Sequence, residues 1–196
     1  MYESRKAKLY TFKYSKDFPI AISTTRPETK VGDVAVAVHP EDERYTQYIG
    51  KEYDVVFCGV PLHIKIIADN AVEKDFGTGA LKITPAHDPN DFEVIQRHIQ
   101  QPNMHNKLQP IVIMNDKAEL LPIDRVPAEI QGKDRHEARK LTEKMLDAAG
   151  LLKAKEPHML RVGRCQRSGT IVEPMLSKQW FVKTQPMAKQ CLTALE

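Results

Sequence analysis

Between residues 77 and 94 the chain reads GTGALKITPAHDPNDFEV, which sets Lys82, Thr84, Asp88 and Asp91 close together. Side chains alternate between the faces of a strand, so Lys82 and Thr84 share one face and Leu81 and Ile83 point the other way, toward a core. Asp88-Pro89 has the pattern of a helix N-cap followed by proline at the first helical position, which puts Asp91 in the first helical turn. A cation, a hydroxyl and two carboxylates are therefore expected to converge where a strand ends and a helix begins. A second polar stretch, STTRPET at residues 23–29, groups Thr24, Arg26 and Thr29. Hydroxyls around one arginine suit a polar ligand that carries a carboxylate, phosphate or ribose.

Each of these residues also has a plainer reading. Asp88 fits helix capping, and the helix dipole favours Asp91 in the first turn. Lys82 on a solvent-facing strand is ordinary surface, and Arg26 suits a strand end before Pro27. The run Gly77-Thr78-Gly79 serves either a plain turn or a close approach of backbone to ligand. It is not a phosphate loop, because GxxxxGK[ST] is absent. There is no HExxH, no metal-ligand spacing among the seven histidines, no GxSxG and no evident Cys–His pair. A hydrolase built on these residues would use a positioned water rather than a covalent nucleophile.

The elements that must hold these groups are mostly short. LYTFKY (9–14), FPIAISTT (18–25), DVAVAV (33–38), GALKIT (79–84) and PIVIM (110–114) read as strands, and YDVVFCGVPLHIKIIA (53–68) as a hairpin with Gly59 near its tip. Frequent short strands with turn signals between them suggest a barrel or sandwich. Three helices are expected, at 41–49, at 89–100 with Phe92, Ile95 and Ile99 on one stripe, and at 133–149 with Ala138, Leu141, Met145 and Ala148 on one side. Asp134 and Glu137 resemble a capping box, and Gly150 is a good stop. Residues 100–110 read as a surface loop, and the chain after 155 as extended segments without a core of their own.

With 196 residues, 41% of them apolar and 28% charged, the chain can form one sizeable domain with appendages. No run of 18 apolar residues occurs, so a membrane-spanning helix is not expected, and MYESRKAKLY lacks the apolar core of a signal peptide. Three cysteines without CxxC spacing point to a reduced, cytoplasmic protein with neither a zinc site nor a disulfide framework. The net charge of +3 is uneven: residues 31–129 hold 9 Lys/Arg against 16 Asp/Glu, and residues 130–195 hold 13 against 6. A basic C-terminal third suits contact with a polyanion, and equally suits a solvated surface.

STTRPETKVGDVAVAVHPEDERY (23–45), FGTGALKITPAHDPNDFEV (76–94) and RSGTIVEPMLSKQWFVK (167–183) together resemble the valyl-tRNA synthetase family, in its inserted editing (connective-peptide) domain and the segment that returns toward the synthetic site. The resemblance implies an α+β fold, a β-barrel-like editing domain of the valyl/isoleucyl/leucyl type with flanking helices. It divides the chain into an editing core at 1–165 and a return segment at 166–196. HIGH and KMSKS, the family's nucleotide-binding motifs, are absent, so the expectation is an excised domain that hydrolyses threonine misattached to valine tRNA without making aminoacyl-tRNA, with threonyl-adenylate left open as a second substrate. No cofactor is implied for editing; ATP serves only the catalytic domain. The implied partners are the acceptor end of valine tRNA and the rest of the synthetase, with no membrane and a monomeric chain. One departure stands out: the family usually carries a hydrophobic pair such as Met-Leu before the Gly-Asp, where this chain has Lys30-Val31.

The resemblance also assigns roles. Asp91 would anchor the substrate's α-ammonium, Lys82 would stabilise negative charge on the ester oxygen, and Thr29 joins them as a catalytic candidate. Asp88 and Thr84 would shape the polar pocket. Thr24, Arg26 and Thr29 would line the opposite wall and hold the terminal adenosine and the attacking water. Phe76 would stack on the adenine, and Glu73 would take part in substrate binding. No general base is assigned. Two other readings remain open: an isoleucyl or leucyl editing domain, against which the Asp-Pro-Asn-Asp run, TRPET and the 33–45 block count, and a catalytically silent module that positions the tRNA acceptor end.

Overall fold

The computed structural model describes residues 2–100 and 108–194. Two sheets carry the architecture. An antiparallel three-stranded sheet has the order β2-β1-β7, with β1 at Tyr2–Phe12, β2 at Ile22–Thr24 and β7 at Leu152–Gly163. A mixed four-stranded sheet has the order β4-β5-β3-β6, with β3 at Ala35–Val38, β4 at Glu52–Phe57, β5 at Val60–Ala68 and β6 at Ala80–Ile83. Three α-helices follow: α1 at Pro89–Ile99, α2 at Arg135–Ala148 and α3 at Thr184–Thr193.

Both sheets contribute to one core. Phe12, Ile22, Val36, Val38, Phe57, Ile64 and Ile66 meet there, with Ala138 and Leu146 of α2. The opposite face of the four-stranded sheet is covered by α1, where Ala35, Ala37, Ile67 and Ile83 pack against Val94 and Ile95. Burial on both faces explains why AVAV has no polar alternation. Alanine on the α1 side and valine on the other let the helix approach closely while the larger core fills. The β4–β5 hairpin turns through Cys58 and Gly59, at φ 49° and 84°, the left-handed pair that a two-residue hairpin turn requires.

Several expectations change. Residues 41–49 form turns with only a short 3-10 piece at Thr46–Tyr48. The Asp42 carboxylate accepts the Arg44 amide at 3.1 Å, a local bond that competes with helix propagation. PIVIM is not a strand; Met114 makes only a single bridge to Leu120, although Ile113 and Met114 are buried. The apolar stripe of α1 runs through Val94 and Ile95 rather than Phe92, and α2 buries Ala138, Thr142 and Leu146, with Leu141 and Met145 only partly covered. Asp134 caps α2 through the His136 amide at 2.8 Å, while Glu137 turns to Lys133 at 3.0 Å instead of closing a capping box. The long β1–β7 ribbon, Tyr2 paired with Gly163 and Tyr10 with Lys155, and the exposed helix α3 were not expected. Most of the 100–110 loop lies outside the described residues.

Candidate functional site

Lys82 sits on β6, and the chain leaves that strand through Thr84-Pro85 to reach the N-terminus of α1 at Pro89. Asp88 caps this helix, its Oδ1 accepting the amides of Asn90 at 3.0 Å and Asp91 at 3.4 Å. Lys82 Nζ donates to Asp91 Oδ2 at 2.7 Å and lies 3.5 Å from Asp88 Oδ2. The Thr84 amide donates to the same Asp91 oxygen at 2.8 Å. The strand end and the helix start are thus joined by one carboxylate, as the spacing suggested.

Burial raises the Asp91 pKa above the usual carboxylate range, and Lys82 offsets part of that rise. Burial works against the Lys82 ammonium too, but Asp91, Asp88 and Asp33 together outweigh it and raise its pKa. Asp88 is held below the usual range, because Lys82, the two helix amides and Arg26 outweigh its partial burial. The result is a charged lysine between two carboxylates at the mouth of a helix dipole.

These three residues line a cavity of about 440 Å³ together with Phe76, Glu73 and Ser23. Phe76 is half exposed at its rim and meets His158 edge-on at 5.9 Å between ring centres. Five of the residues expected at a site, Lys82, Asp88, Asp91, Phe76 and Glu73, therefore share one concavity.

The other four lie elsewhere. Thr24 is buried, its Oγ1 accepting the Arg26 amide at 3.1 Å. The Thr29 hydroxyl donates to the Arg26 carbonyl at 2.9 Å within a 3-10 turn at Pro27–Gly32. Strand β2 ends at Thr24, so alternation does not carry on to Arg26. The Arg26 guanidinium donates to the His87 carbonyl at 3.1 Å and pairs with Glu173, opening onto a second cavity of about 370 Å³ that shares Asp88 with the first. The Thr84 hydroxyl donates to Asp33 inside the protein. Thr24, Thr29 and Thr84 thus spend their hydroxyls on internal bonds, and Ser23, one register position before Thr24, takes the place on the cavity wall. Asn90 and Arg97 also line it. Sequence reasoning missed Ser23; alternation along β2, which sets Ser23 and Thr24 on opposite faces, is the signal that could have found it.

Lys30 is not on a pocket wall. It is fully buried, with Nζ 3.0 Å from both Asp33 Oδ1 and Thr84 Oγ1, and the Tyr14 hydroxyl donates to the other Asp33 oxygen. Burial lowers the Lys30 pKa to about 8 despite Asp33. His87 is also buried and neutral: burial and the Arg26 charge lower its pKa to about 4, and Nε2 accepts the Ile113 amide at 3.0 Å. The glycine run is a matter of packing. Gly77, at φ 57°, passes so close to β2 that a side-chain carbon there would sit 3.0 Å from Ser23 Cβ, and Gly79, at φ 72°, lies against the Lys74 carbonyl. Among the described residues no group of three His, Cys, Asp or Glu could hold a metal ion, and no helix is long and apolar enough to cross a membrane.

No protein-family model matches the chain. Among curated proteins it is similar to the valine--tRNA ligase of Bacillus anthracis, 50% identical over 173 residues, covering 88% of this chain and 18% of that protein. The valine--tRNA ligase of Francisella tularensis is 48% identical, with 98% and 20% covered. That of Thermotoga maritima is 44% identical, with 100% and 21% covered. The chain spans about a fifth of the length of these relatives. Among solved structures it resembles the crystal structure of GlLeuRS-CP1, with a TM-score of 0.53 and 12% identity, covering 79% of this chain and 99% of that one, which supports a shared α+β fold. At these identities over nearly its whole length, the chain belongs to the valine--tRNA ligase family, as a segment with the fold of a CP1 domain.

Proposed function

We propose that this segment is the editing esterase of a valine--tRNA ligase, hydrolysing the ester that joins threonine to the end of valine tRNA. The observation that carries this reading is the Lys82–Asp91 pair at the wall of an open cavity. Asp91 Oδ2 is engaged by Lys82 and the Thr84 amide, and its Oδ1 makes no hydrogen bond among the described residues, which leaves an acceptor for the substrate's α-ammonium. Lys82 supplies a fixed cation to the ester oxygen as charge develops there. A water held between these groups is the nucleophile; an aminoacyl ester is reactive enough for positioning to supply much of the acceleration.

The chemical need is clear. Threonine differs from valine by a hydroxyl in place of a methyl, and a hydrophobic synthetic pocket rejects the added hydroxyl weakly; valine synthetase against threonine is itself the worked case of that limit. A polar second pocket requires the hydroxyl, because valine would leave buried polar groups unpaired at about 1–3 kcal/mol each. Beside Lys82 and Asp91, the polar residues on the cavity wall include Asp88, Glu73, Asn90, Arg97 and Ser23, whose hydroxyl is shared with that of Thr11 at 2.8 Å. Phe76 offers a face for the terminal adenine. Arg26, Thr24, Thr29 and Thr84 act on this reading by shaping the turn and the strand end behind the pocket.

On this reading residues 1–165 form the editing core and 166–196 the segment leading back to the synthetic part of the enzyme; Glu173 and the Leu176 amide, bonded to the Ala86 carbonyl at 3.1 Å, tie that segment to the site. The partners are the tRNA and the remainder of the ligase, the setting is the cytoplasm, and ATP has no part in the hydrolysis. The experiment is to compare deacylation of threonyl- and valyl-tRNA by the chain and by Asp91→Ala. Threonine-selective hydrolysis lost in the variant supports the proposal. Unchanged hydrolysis in a folded Asp91→Ala removes the anchoring role. No hydrolysis by the folded wild type would favour a silent acceptor-end binding module, for which the cationic second cavity speaks.

A further inference from the structure

Glu73 and Phe76 reach the first cavity from the loop that joins β5 to β6, residues 69–79. The loop is rooted at its start, where Val72 is buried and Asp69 accepts the Ala71 amide at 2.9 Å and Arg97 at 2.9 Å. Beyond Val72 it projects, and Glu73 to Gly77 are all exposed. Two turns shape it there: the Phe76 amide donates to the Glu73 carbonyl at 3.3 Å, and the Gly79 amide to the Phe76 carbonyl at 2.9 Å. The Phe76 ring is half exposed and meets the His158 ring edge-on. Packing of that kind does not fix the direction in which the ring points.

Past Val72 the loop is tied to the body by an arm that follows β3. Arg44 Nη2 donates to the Lys74 carbonyl at 2.7 Å, and the Tyr45 hydroxyl donates to the Thr78 carbonyl at 2.6 Å. Those carbonyls lie two residues before and two residues after Phe76, so one arm grips the loop on both sides of the ring. Arg44 is itself held: its Nε and Nη2 donate to the two oxygens of Asp42 at 2.8 and 2.6 Å, and Asp42 is buried. A bidentate carboxylate fixes the plane of the guanidinium. At Gly79 a side-chain carbon would collide with Arg44 Nη2 and the Lys74 carbonyl, so glycine there lets the arm close. Asp42, Arg44 and Tyr45 do not line the cavity.

We infer that Arg44 and Tyr45 are positioning residues for the substrate-binding wall: braced by Asp42, they hold the 73–79 loop in the shape that presents Glu73 and Phe76 to the first cavity. They act through the loop and touch no substrate themselves. This deepens the proposed function and rests on it for what the cavity binds. A preformed wall loses less freedom than a loose one when a ligand arrives, so the arm acts on affinity. Lys82 and Asp91 stand on β6 and α1, away from the arm, so the chemical step should not change. The Arg44 side chain is 53% exposed, and exposed pairs add little to stability, so unfolding should change little.

The test measures KM and kcat for threonyl-tRNA deacylation in Arg44→Met, Tyr45→Phe and the double variant. Each single change should raise KM severalfold and the pair about tenfold, the scale of one or two lost hydrogen bonds, with kcat close to wild type. Loss of uniform binding has that signature, whereas a change that merely unfolds part of the sample lowers kcat at unchanged KM. Arg44→Lys should not rescue, because one ammonium cannot hold a carboxylate through two bonds and a carbonyl as well. Glu41→Gln, which removes a 3.6 Å pair with Lys74 on the same loop, should leave both constants at wild type. A second readout needs no ester. Trp180, fully exposed, is replaced by Phe and Phe76 by Trp, and acrylamide quenching then reads the loop; it should rise in Arg44→Met and in Tyr45→Phe. Unchanged quenching, or unchanged KM in a chain that hydrolyses the ester, overturns the positioning role. Raised quenching in a folded chain that hydrolyses no ester keeps the brace and removes the proposed function alone.

Discussion

Two lysine–aspartate pairs sit back to back at the end of β6, and they differ in what surrounds them. Lys82–Asp91 closes at 2.7 Å beside an open cavity. Lys30–Asp33 closes at 3.0 Å with both side chains at 0% exposure. Both are anchored on the strand end: Lys82 itself in the first, and in the second Thr84, whose hydroxyl joins Asp33 while its amide holds Asp91. The same two residue types therefore make a reactive arrangement on one side and a structural rivet on the other. Contact with a cavity, not the pairing, separates them: Lys82 is 12% exposed there, although its partner Asp91 is only 2% exposed. The open pair can exchange its partner for a ligand, whereas the sealed pair has nothing to exchange with.

The largest break in that comparison is Asp33→Asn. It strands Lys30 in the core, and breaking one side of a buried pair costs about 3–5 kcal/mol. Urea unfolding should show that loss, with the remaining activity of the folded fraction intact. A change below about 1 kcal/mol would mean that the pair is not sealed.

Lys30 sharpens the comparison through pH. Its folded pKa is about 8, below the ordinary value of 10.5. Below pH 8 both the folded and unfolded lysine hold the proton, and stability does not depend on this group. Between about 8 and 10.5 the unfolded chain holds a proton that the folded one has lost, so stability rises with pH, by on the order of 3 kcal/mol in full. Subtracting the profile of Lys30→Met, which cannot titrate there, isolates the effect from the tyrosines. Lys30→Met leaves the buried Asp33 carboxylate with only the hydroxyl donors of Tyr14 and Thr84, so it too should be destabilised at neutral pH, and the comparison uses only the pH dependence. A flat difference profile would show that Lys30 stays charged throughout.

For the open pair the effect moves from stability to rate. Lys82→Met should slow threonyl-tRNA hydrolysis about 10²-fold, the scale for loss of one group that stabilises an oxyanion, and leave unfolding within about 1 kcal/mol of wild type. Loss of stability with unchanged hydrolysis would exchange the two pairs' roles.

The sequence showed the open pair and hid the sealed one for a physical reason. Lys82, Asp88 and Asp91 lie on one continuous stretch where strand alternation, Asp-Pro capping and helix period all act locally. The hairpin at 53–68 and helices α1 and α2 were legible on the same grounds. Lys30–Asp33–Thr84 closes across more than fifty residues, and a lysine read in isolation is expected at the surface. The ribbon was missed because its first residues, from Tyr2 to Lys6, are exposed on both faces, so no alternation marks them. Thr24 and Thr29 of STTRPET were expected to line the pocket because their chemistry suits a ligand. Their hydroxyls instead satisfy a tight turn, which the same chemistry suits equally well.

Asp88 is where the comparison can be split most finely, because it does both kinds of work. Its Oδ1 caps α1 and its Oδ2 faces Lys82. Asparagine caps a helix about as well as aspartate, whereas alanine does not, at about 1 kcal/mol. Asp88→Ala should therefore lower stability by about that amount and Asp88→Asn by a few tenths. The capping charge has its folded pKa held below the unfolded value, so its contribution is present above the unfolded pKa and disappears as pH falls through the folded one; Asp88→Asn should lose that acid-side dependence while keeping the helix. If the carboxylate itself serves the substrate, both variants slow hydrolysis alike. If Asp88→Asn keeps the wild-type rate and Asp88→Ala does not, the residue serves the site only by holding Asp91 in the first turn of the helix.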